Sequence, residues 1–300
     1  MIHDGGPPLQ FNGAVRLDRD VELRGLRLHF QDWPGEGGPV VCLPGQTANG
    51  RTFDGLASAL APEWRVIALD PRGRGRSAKP KHGYGYQVQV ADTMALLDLF
   101  GFEHVVLAGH SYGAIIGLLI AAWYPERVAG LIMVDGGTTI PGSTHDAVQM
   151  IVQRLDTVYQ SLDAYLGLLR LAPWFQPWTP ELENVLAASV EEVPGGVRAQ
   201  TAKWAAEQEI RAYLTGPPDY ASLHRAVRCP TLVVRATGGF LAYDDHVLPV
   251  DAYREMLERI PTARGVEIPG ANHFTVLLGR PEGTIEAIRD YLVGLSSQAP

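Results

Sequence analysis

The chain has 300 residues and 46% of them are hydrophobic, enough for one α/β domain that buries a sizeable core and carries an insertion. Its 33 acidic and 25 basic side chains give a formal charge of −8, which argues against nucleic acid or anionic lipid as a partner. Arg72, Arg74 and Arg76 are interleaved with glycines and read as a turn rather than a basic patch.

Taken in chain order, residues 1–13 are polar and rich in Gly and Pro, with no apolar run of the kind that opens a secretory signal. Residues 21–23 and 26–30 flank Arg24-Gly25 and predict a hairpin at an antiparallel sheet edge. Residues 40–43, 66–69, 105–107, 131–134, 231–234 and 265–268 read as strands. Each is short, rich in Val, Ile and Leu, and apolar on successive residues, as a strand covered on both faces must be. Helical candidates lie between them at 53–60, 87–100, 112–124, 250–259 and 281–295. This alternation predicts an α/β fold with a mostly parallel, doubly wound sheet and right-handed crossovers. The longest apolar run, 114–123, is too short to span a bilayer and suits a buried helix. A soluble, cytoplasmic protein is expected, with Cys42 and Cys229 as reduced core thiols.

The alternation breaks once. From Thr138 to Ala226 the pattern is helical with proline interruptions, at 146–171, 181–192 and 195–215, and contains no convincing strand. The expected organisation is therefore a helical cap, 138–226, inserted into a core formed by 1–137 and 227–300. Trp174, Phe175, Trp178 and Trp204 fall in the cap and are candidates for an apolar substrate wall; packing of the cap's own helices is the competing role.

The strongest chemical signal is Gly109-His110-Ser111-Tyr112-Gly113, between a predicted strand and a predicted helix. A tight strand-to-helix bend lifts the serine hydroxyl above the sheet and needs glycines where strand and helix approach closely. It also leaves backbone N–H groups at a helix start, where they can hold an oxyanion. Ser111 is thus a candidate nucleophile, and a hydroxyl needs a base within reach. Of nine histidines, His273 is best placed, in the loop 269–274 after the last predicted strand. Strand C-termini of a parallel sheet share one edge, so that loop can reach Ser111. His110 is expected to face away and pack.

Outside the cap the sequence resembles the α/β-hydrolase family. The resemblance is carried by Leu43-Pro44-Gly45-Gln46, by Asp70-Pro71-Arg72-Gly73-Arg74-Gly75-Arg76-Ser77, by the Gly109–Gly113 pattern and by Gly270-Ala271-Asn272-His273. It implies a catalytic triad and an oxyanion hole with two backbone donors, Gln46 and Tyr112; where relatives have His-Gly this chain has Pro44-Gly45. The 70–77 segment is expected to be structural. The resemblance leaves the acid open. Most relatives place it after the strand read at 231–234, but Arg235-Ala236-Thr237-Gly238-Gly239 holds no carboxylate, and Asp244 and Asp245 come later. Asp135, just past the strand at 131–134, matches the position used by haloalkane dehalogenases within the family and is the leading candidate. An acid there would hold the histidine in the tautomer that accepts the serine proton.

The resemblance implies a hydrolase of a small-molecule carboxylic ester acting through an acyl-enzyme. Lactone, amide or carbon–carbon bond hydrolysis on the same residues, and a receptor without turnover, are the alternatives. No cluster has metal-ligand spacing and no phosphate- or dinucleotide-binding loop is present, so no metal or cofactor is expected. Oligomeric state leaves no mark in the sequence.

Overall fold

The computed structural model describes residues 2–242 and 244–297; positions 1, 243 and 298–300 of the expected core lie outside the described residues. The chain opens with β1 (Ile2–Asp4), β2 (Leu9–Phe11), β3 (Ala14–Leu23), β4 (Leu26–Trp33) and β5 (Gly37–Leu43), followed by α1 (Asp54–Leu60) and β6 (Trp64–Asp70). Next come α2 (Tyr86–Phe100), β7 (Val105–His110), α3 (Tyr112–Trp123) and β8 (Val128–Val134). A long insertion follows, with α4 (Gly142–Gln153), α5 (Leu162–Arg170), α6 (Pro180–Ala187), β9 (Val190–Val193), β10 (Gly196–Ala199), α7 (Lys203–Thr215) and α8 (Tyr220–Ala226). The chain then returns through β11 (Thr231–Ala236), α9 (Val250–Arg259), β12 (Ala263–Ile268) and α10 (Glu282–Ser296).

The sheet order is β1-β3-β4-β6-β5-β7-β8-β11-β12, with β2 paired to β3. From β6 to β12 every pairing is parallel, while β3, β4 and β6 pair antiparallel at one end. The predicted hairpin is longer than the sequence pattern implied. Its two-residue turn is set by Arg24 and Gly25, with φ of 51° and 76°, the conformation that matches strand twist.

Successive residues of the inner parallel strands enter opposite cores, which explains their unbroken apolarity; β12, at the sheet edge, departs from the expectation, for it carries Arg264 and Glu267 and has no fully buried residue. Val41, Leu43, Leu107 and Met133 pack with α2, α3 and α9, whereas Val40, Cys42, Ala108 and Val134 pack with α1 and α10. Both cysteines are free and buried, and burial raises both thiols above their usual range. Strand β5 lies between β6 and β7, so the chain leaves it in one direction and later crosses back to its other side. Such a reversal opens a crevice at the strand C-termini. The loops after β5 and β7 meet there.

The insertion departs from the expectation of helices alone. Residues 146–171 form two helices, because Ser161 caps α5 by accepting from Ala164 N at 3.1 Å after an irregular stretch. Residues 190–199 form a hairpin where helix was expected. Gly195 turns it with a φ of 93°, and Tyr159 and Val197 exchange two backbone bonds of 2.8 Å at its edge. A Cβ on Gly196 would lie 1.8 Å from Tyr159 O, so only glycine permits that approach. Among the described residues no helix is long and apolar enough to cross a membrane.

Candidate active site

The bend after β7 is enforced by sterics. Ser111 adopts φ 55° and ψ −118°, a strained conformation for a residue with a Cβ. A Cβ on Gly109 would stand 2.3 Å from Gly113 O, one on Gly113 1.9 Å from Leu43 O, and one on Gly136 2.5 Å from Ser111 O. Three elements therefore close on the serine where only glycine fits. Ser111 N donates to Val134 O at 3.0 Å, which ties the bend to β8.

His273 and Asp135 are brought together. Nδ1–H of His273 donates to Asp135 Oδ2 at 2.7 Å, and Asp135 Oδ1 accepts from Ala236 N at 3.1 Å. Asp135 is 2% exposed and His273 5%. Asp135 takes a φ of 46° immediately past β8, and its N–H bonds Val234 O at 2.8 Å, so the neighbouring strand β11 fixes the carboxylate. The alternatives lie elsewhere. Asp245 accepts from the N–H groups of Phe240, Leu241 and Ala242 and so caps its own loop, while Asp244 is exposed.

His110 does not face away as expected. Its Nε2–H donates to His273 O at 2.9 Å, and its ring stacks on that of His273 with centroids 4.6 Å apart. Phe240 meets the His273 ring edge-on at 5.0 Å. Burial, with His273 adding to it, holds the pKa of His110 well below the usual imidazole range, so it stays neutral. The catalytic candidate is thus gripped by an imidazole and a phenyl ring that no sequence motif announced.

Gln46 follows β5 and Tyr112 opens α3; among the described residues neither backbone N–H has a hydrogen-bond acceptor. The carbonyl of Gln46 accepts from Arg74 Nε at 2.9 Å. Arg74 is fully buried and pairs through both terminal nitrogens with Glu209 of α7, which also accepts from Gln89 Nε2 at 2.8 Å. In the same segment Asp70 accepts from Gly50 N and Arg76 N, each at 2.8 Å, and Arg72 holds Asp92 with two bonds of 2.6 and 2.7 Å. Residues 70–77 thus brace the loop that follows β5.

Ser111, His273, Gln46 and Tyr112 all border one cavity of about 540 Å³, whose other wall comes from the insertion. Trp174 and Phe175 line it. Trp178 and Trp204 do not, contrary to expectation. The Trp178 indole N–H is engaged by Glu183 at 2.7 Å beneath the Arg170 guanidinium. Trp204 donates to Pro80 O at 2.9 Å and carries Lys81 over its ring at 3.4 Å. Each of those indoles satisfies its polar edge on the flank of the insertion rather than at the cavity.

This architecture has a counterpart among known proteins. Residues 38–279 match the family model described as alpha/beta hydrolase fold, and the chain belongs to that family. It is a hydrolase of the alpha/beta type, in a family acting on small molecules. The 2-(acetamidomethylene)succinate hydrolase of Mesorhizobium japonicum is 26% identical over 92% of this chain and 95% of its own length. The 3-hydroxybutyrate-oligomer hydrolase of Cupriavidus necator is 28% identical over 82% of this chain and 87% of its own. A crystal structure of E-2-(acetamidomethylene)succinate hydrolase superposes with a TM-score of 0.80 at 25% identity, covering 93% of this chain and 99% of that one.

Proposed function

We propose that the chain hydrolyses a carboxylic ester of a moderately hydrophobic small molecule through an acyl-enzyme on Ser111, with the insertion 138–226 acting as the cap of the substrate pocket. One observation carries the reading: a buried imidazole held at Nδ1 by a carboxylate at 2.7 Å borders the same cavity as a serine on a strained bend. With Nδ1 committed to Asp135, Nε2 of His273 is the nitrogen left to accept a proton.

In the first half-reaction Nε2 takes the Ser111 hydroxyl proton while Oγ attacks the carbonyl carbon. The tetrahedral oxyanion is held by the N–H groups of Gln46 and Tyr112. The carbon–oxygen bond to the alcohol then breaks, and His273 returns the proton to the departing alkoxide. Water repeats the sequence on the acyl-serine and releases the acid. Asp135 stays ionised and stabilises the imidazolium formed in each half.

Support for an ester comes from the mostly apolar cavity and from the similarity to a 3-hydroxybutyrate-oligomer hydrolase, since hydroxy acids joined head to tail are linked by esters. A second reading, cleavage at an amide, has its own support in the relative whose named substrate carries an acetamido group. The same residues serve it if His273 protonates a departing nitrogen. A matched panel of nitrophenyl esters and nitroanilides, with a fluorophosphonate that labels the nucleophile, separates the readings. Turnover of the esters together with phosphonylation of Ser111 is expected. Anilide cleavage at a higher kcat/KM than the esters transfers the assignment to amides, and labelling at another residue ends it.

A further inference from the structure

The cavity carries a charge pattern opposite to that of the molecule. The chain has a formal charge of −8, yet no Asp, Glu or Lys lines the cavity among the described residues. Asp135 sits behind His273 and does not border it. Arg154 is the one lining side chain of permanent charge among the described residues. The other titrating groups on the lining are phenols and three imidazoles, of which His110 is held neutral by burial.

Arg154 closes the C-terminus of α4 and is exposed. Met150, one turn before it, also borders the cavity and is 56% exposed, so the two mark its mouth. Among the described residues the Arg154 guanidinium has no carboxylate partner. The arginines before and after it in sequence do have one: Arg127 pairs with Asp98 at 2.8 Å and Arg170 with Glu183 at 2.8 Å. Deeper in, the insertion's side of the lining carries no charge and is largely apolar, with Ile151, Leu155, Leu169, Phe175 and Leu186, while the hydroxyls of Tyr165 and Ser189 bond each other at 3.0 Å.

These facts constrain what can bind. An anion drawn among those aliphatic and aromatic side chains loses its hydration and meets no cation there, a cost that one ion pair at the rim does not offset. The orientation that avoids the cost puts the apolar part of a ligand inside and its charge at the mouth. Resting on the ester reading above, we infer that the substrate is a monoanionic ester, with an apolar acyl body in the cavity and one carboxylate, remote from the scissile bond, held at the rim by Arg154. A second carboxylate on the same molecule meets no second permanent cation on the lining among the described residues.

Because Arg154 is exposed, the pair contributes a modest factor that salt weakens, and the test is scaled to that. Nitrophenyl alkanoates of six to ten acyl carbons are compared with their ω-carboxy counterparts of equal length; shorter diacid esters are avoided because the carboxylate attacks its own ester. At the best length the carboxylate ester is expected to be favoured about fivefold in kcat/KM, through KM. That preference should shrink as ionic strength rises from ~0.02 to ~0.5 M. Arg154→Gln should bring the ratio of the two substrates to about one, and Arg154→Glu should invert it by about fivefold. A wild-type ratio of one or less at every length overturns the inference, as does a preference that survives Arg154→Glu. Calorimetric binding of the monomethyl diacid esters and of the methyl alkanoates to Ser111→Ala, with and without Arg154→Glu, asks the same question without turnover. If no nitrophenyl ester is hydrolysed, the ester reading fails, and the ratio of dissociation constants still decides whether Arg154 holds the anion.

Discussion

The loops at the strand ends and the insertion face each other across one cavity, yet they are held in place by different physics. On the strand side, position is imposed by excluded volume. Gly109, Gly113 and Gly136 leave no room for a Cβ, and Ser111 and Asp135 sit at positive φ because the strands around them demand it. On the insertion side, position rests on apolar contacts with Phe240, Val247, Phe274 and Leu278 and on a few polar tethers to the loops after β5 and β6. Asn49 Nδ2 donates to Ala188 O at 2.9 Å, Thr201 Oγ1 to Thr47 O at 2.8 Å, and Arg74 grips Glu209. A close-packed bend has one geometry, whereas tethered helices can be re-tuned one contact at a time. Chemistry and selectivity should therefore come apart under mutation.

The sharpest way to break that separation is Ser111→Ala. Turnover of an activated ester should fall by roughly 10⁶ in kcat with the fold retained, because alanine accepts the same backbone and loses only the hydroxyl proposed as nucleophile. Surviving hydrolysis, with circular dichroism and melting unchanged, would remove the strand side from the chemistry. Next in size is Asp135→Asn, expected to cost about 10⁴ in kcat by favouring the wrong imidazole tautomer. Asp244→Asn and Asp245→Asn should leave kcat within about tenfold, since neither meets His273 and Asp245 acts on its own loop. The reverse ranking would mean that the acid lies after β11.

The tethers between the two sides supply a stability test on a single helix. Glu209→Ala strands the Arg74 guanidinium in a dry site, and urea unfolding should show a loss of about 3–5 kcal/mol. Glu207→Ala, two residues earlier, breaks only the exposed pair with Lys203 at 3.9 Å and should cost about 0–1 kcal/mol. Equal losses would mean that the insertion is not anchored through Arg74.

The same contrast governs what could be read in advance. The strand side was legible because its constraints are local. Apolar runs of three or four residues mark strands buried on both faces, the glycines flanking Ser111 mark a bend with no room for side chains, and Asp135 directly follows a strand whose end is visible as Met133-Val134. His110 carries no such mark, since nothing beside a serine reveals which ring an imidazole will stack on. Arg74 and Glu209 are 135 positions apart, and only the fold brings them together. In the insertion, Val190-Glu191-Glu192-Val193 is too short to show a period of two, and its glutamates favour a helical reading over the Pro194-Gly195 turn that decides the matter.

The smallest expected effect bears on the tryptophans. Trp174 borders the cavity, and its carbonyl accepts from Asn272 Nδ2 at 2.9 Å, so its backbone is held against the loop that carries His273. Trp174→Ala keeps that backbone bond and removes only the indole from the wall. It should raise KM for a hydrophobic ester by about tenfold, equivalent to ~1.4 kcal/mol of lost contact, with kcat nearly constant. Trp178→Ala and Trp204→Ala remove indoles whose N–H groups are bound to Glu183 and to Pro80 O, away from the cavity, and should shift KM by no more than about twofold. Steady-state kinetics on one ester with the three variants discriminates between them. A fall in kcat for Trp174→Ala would show that this wall also positions the His273 loop, and the insertion would then take part in catalysis as well as in selection.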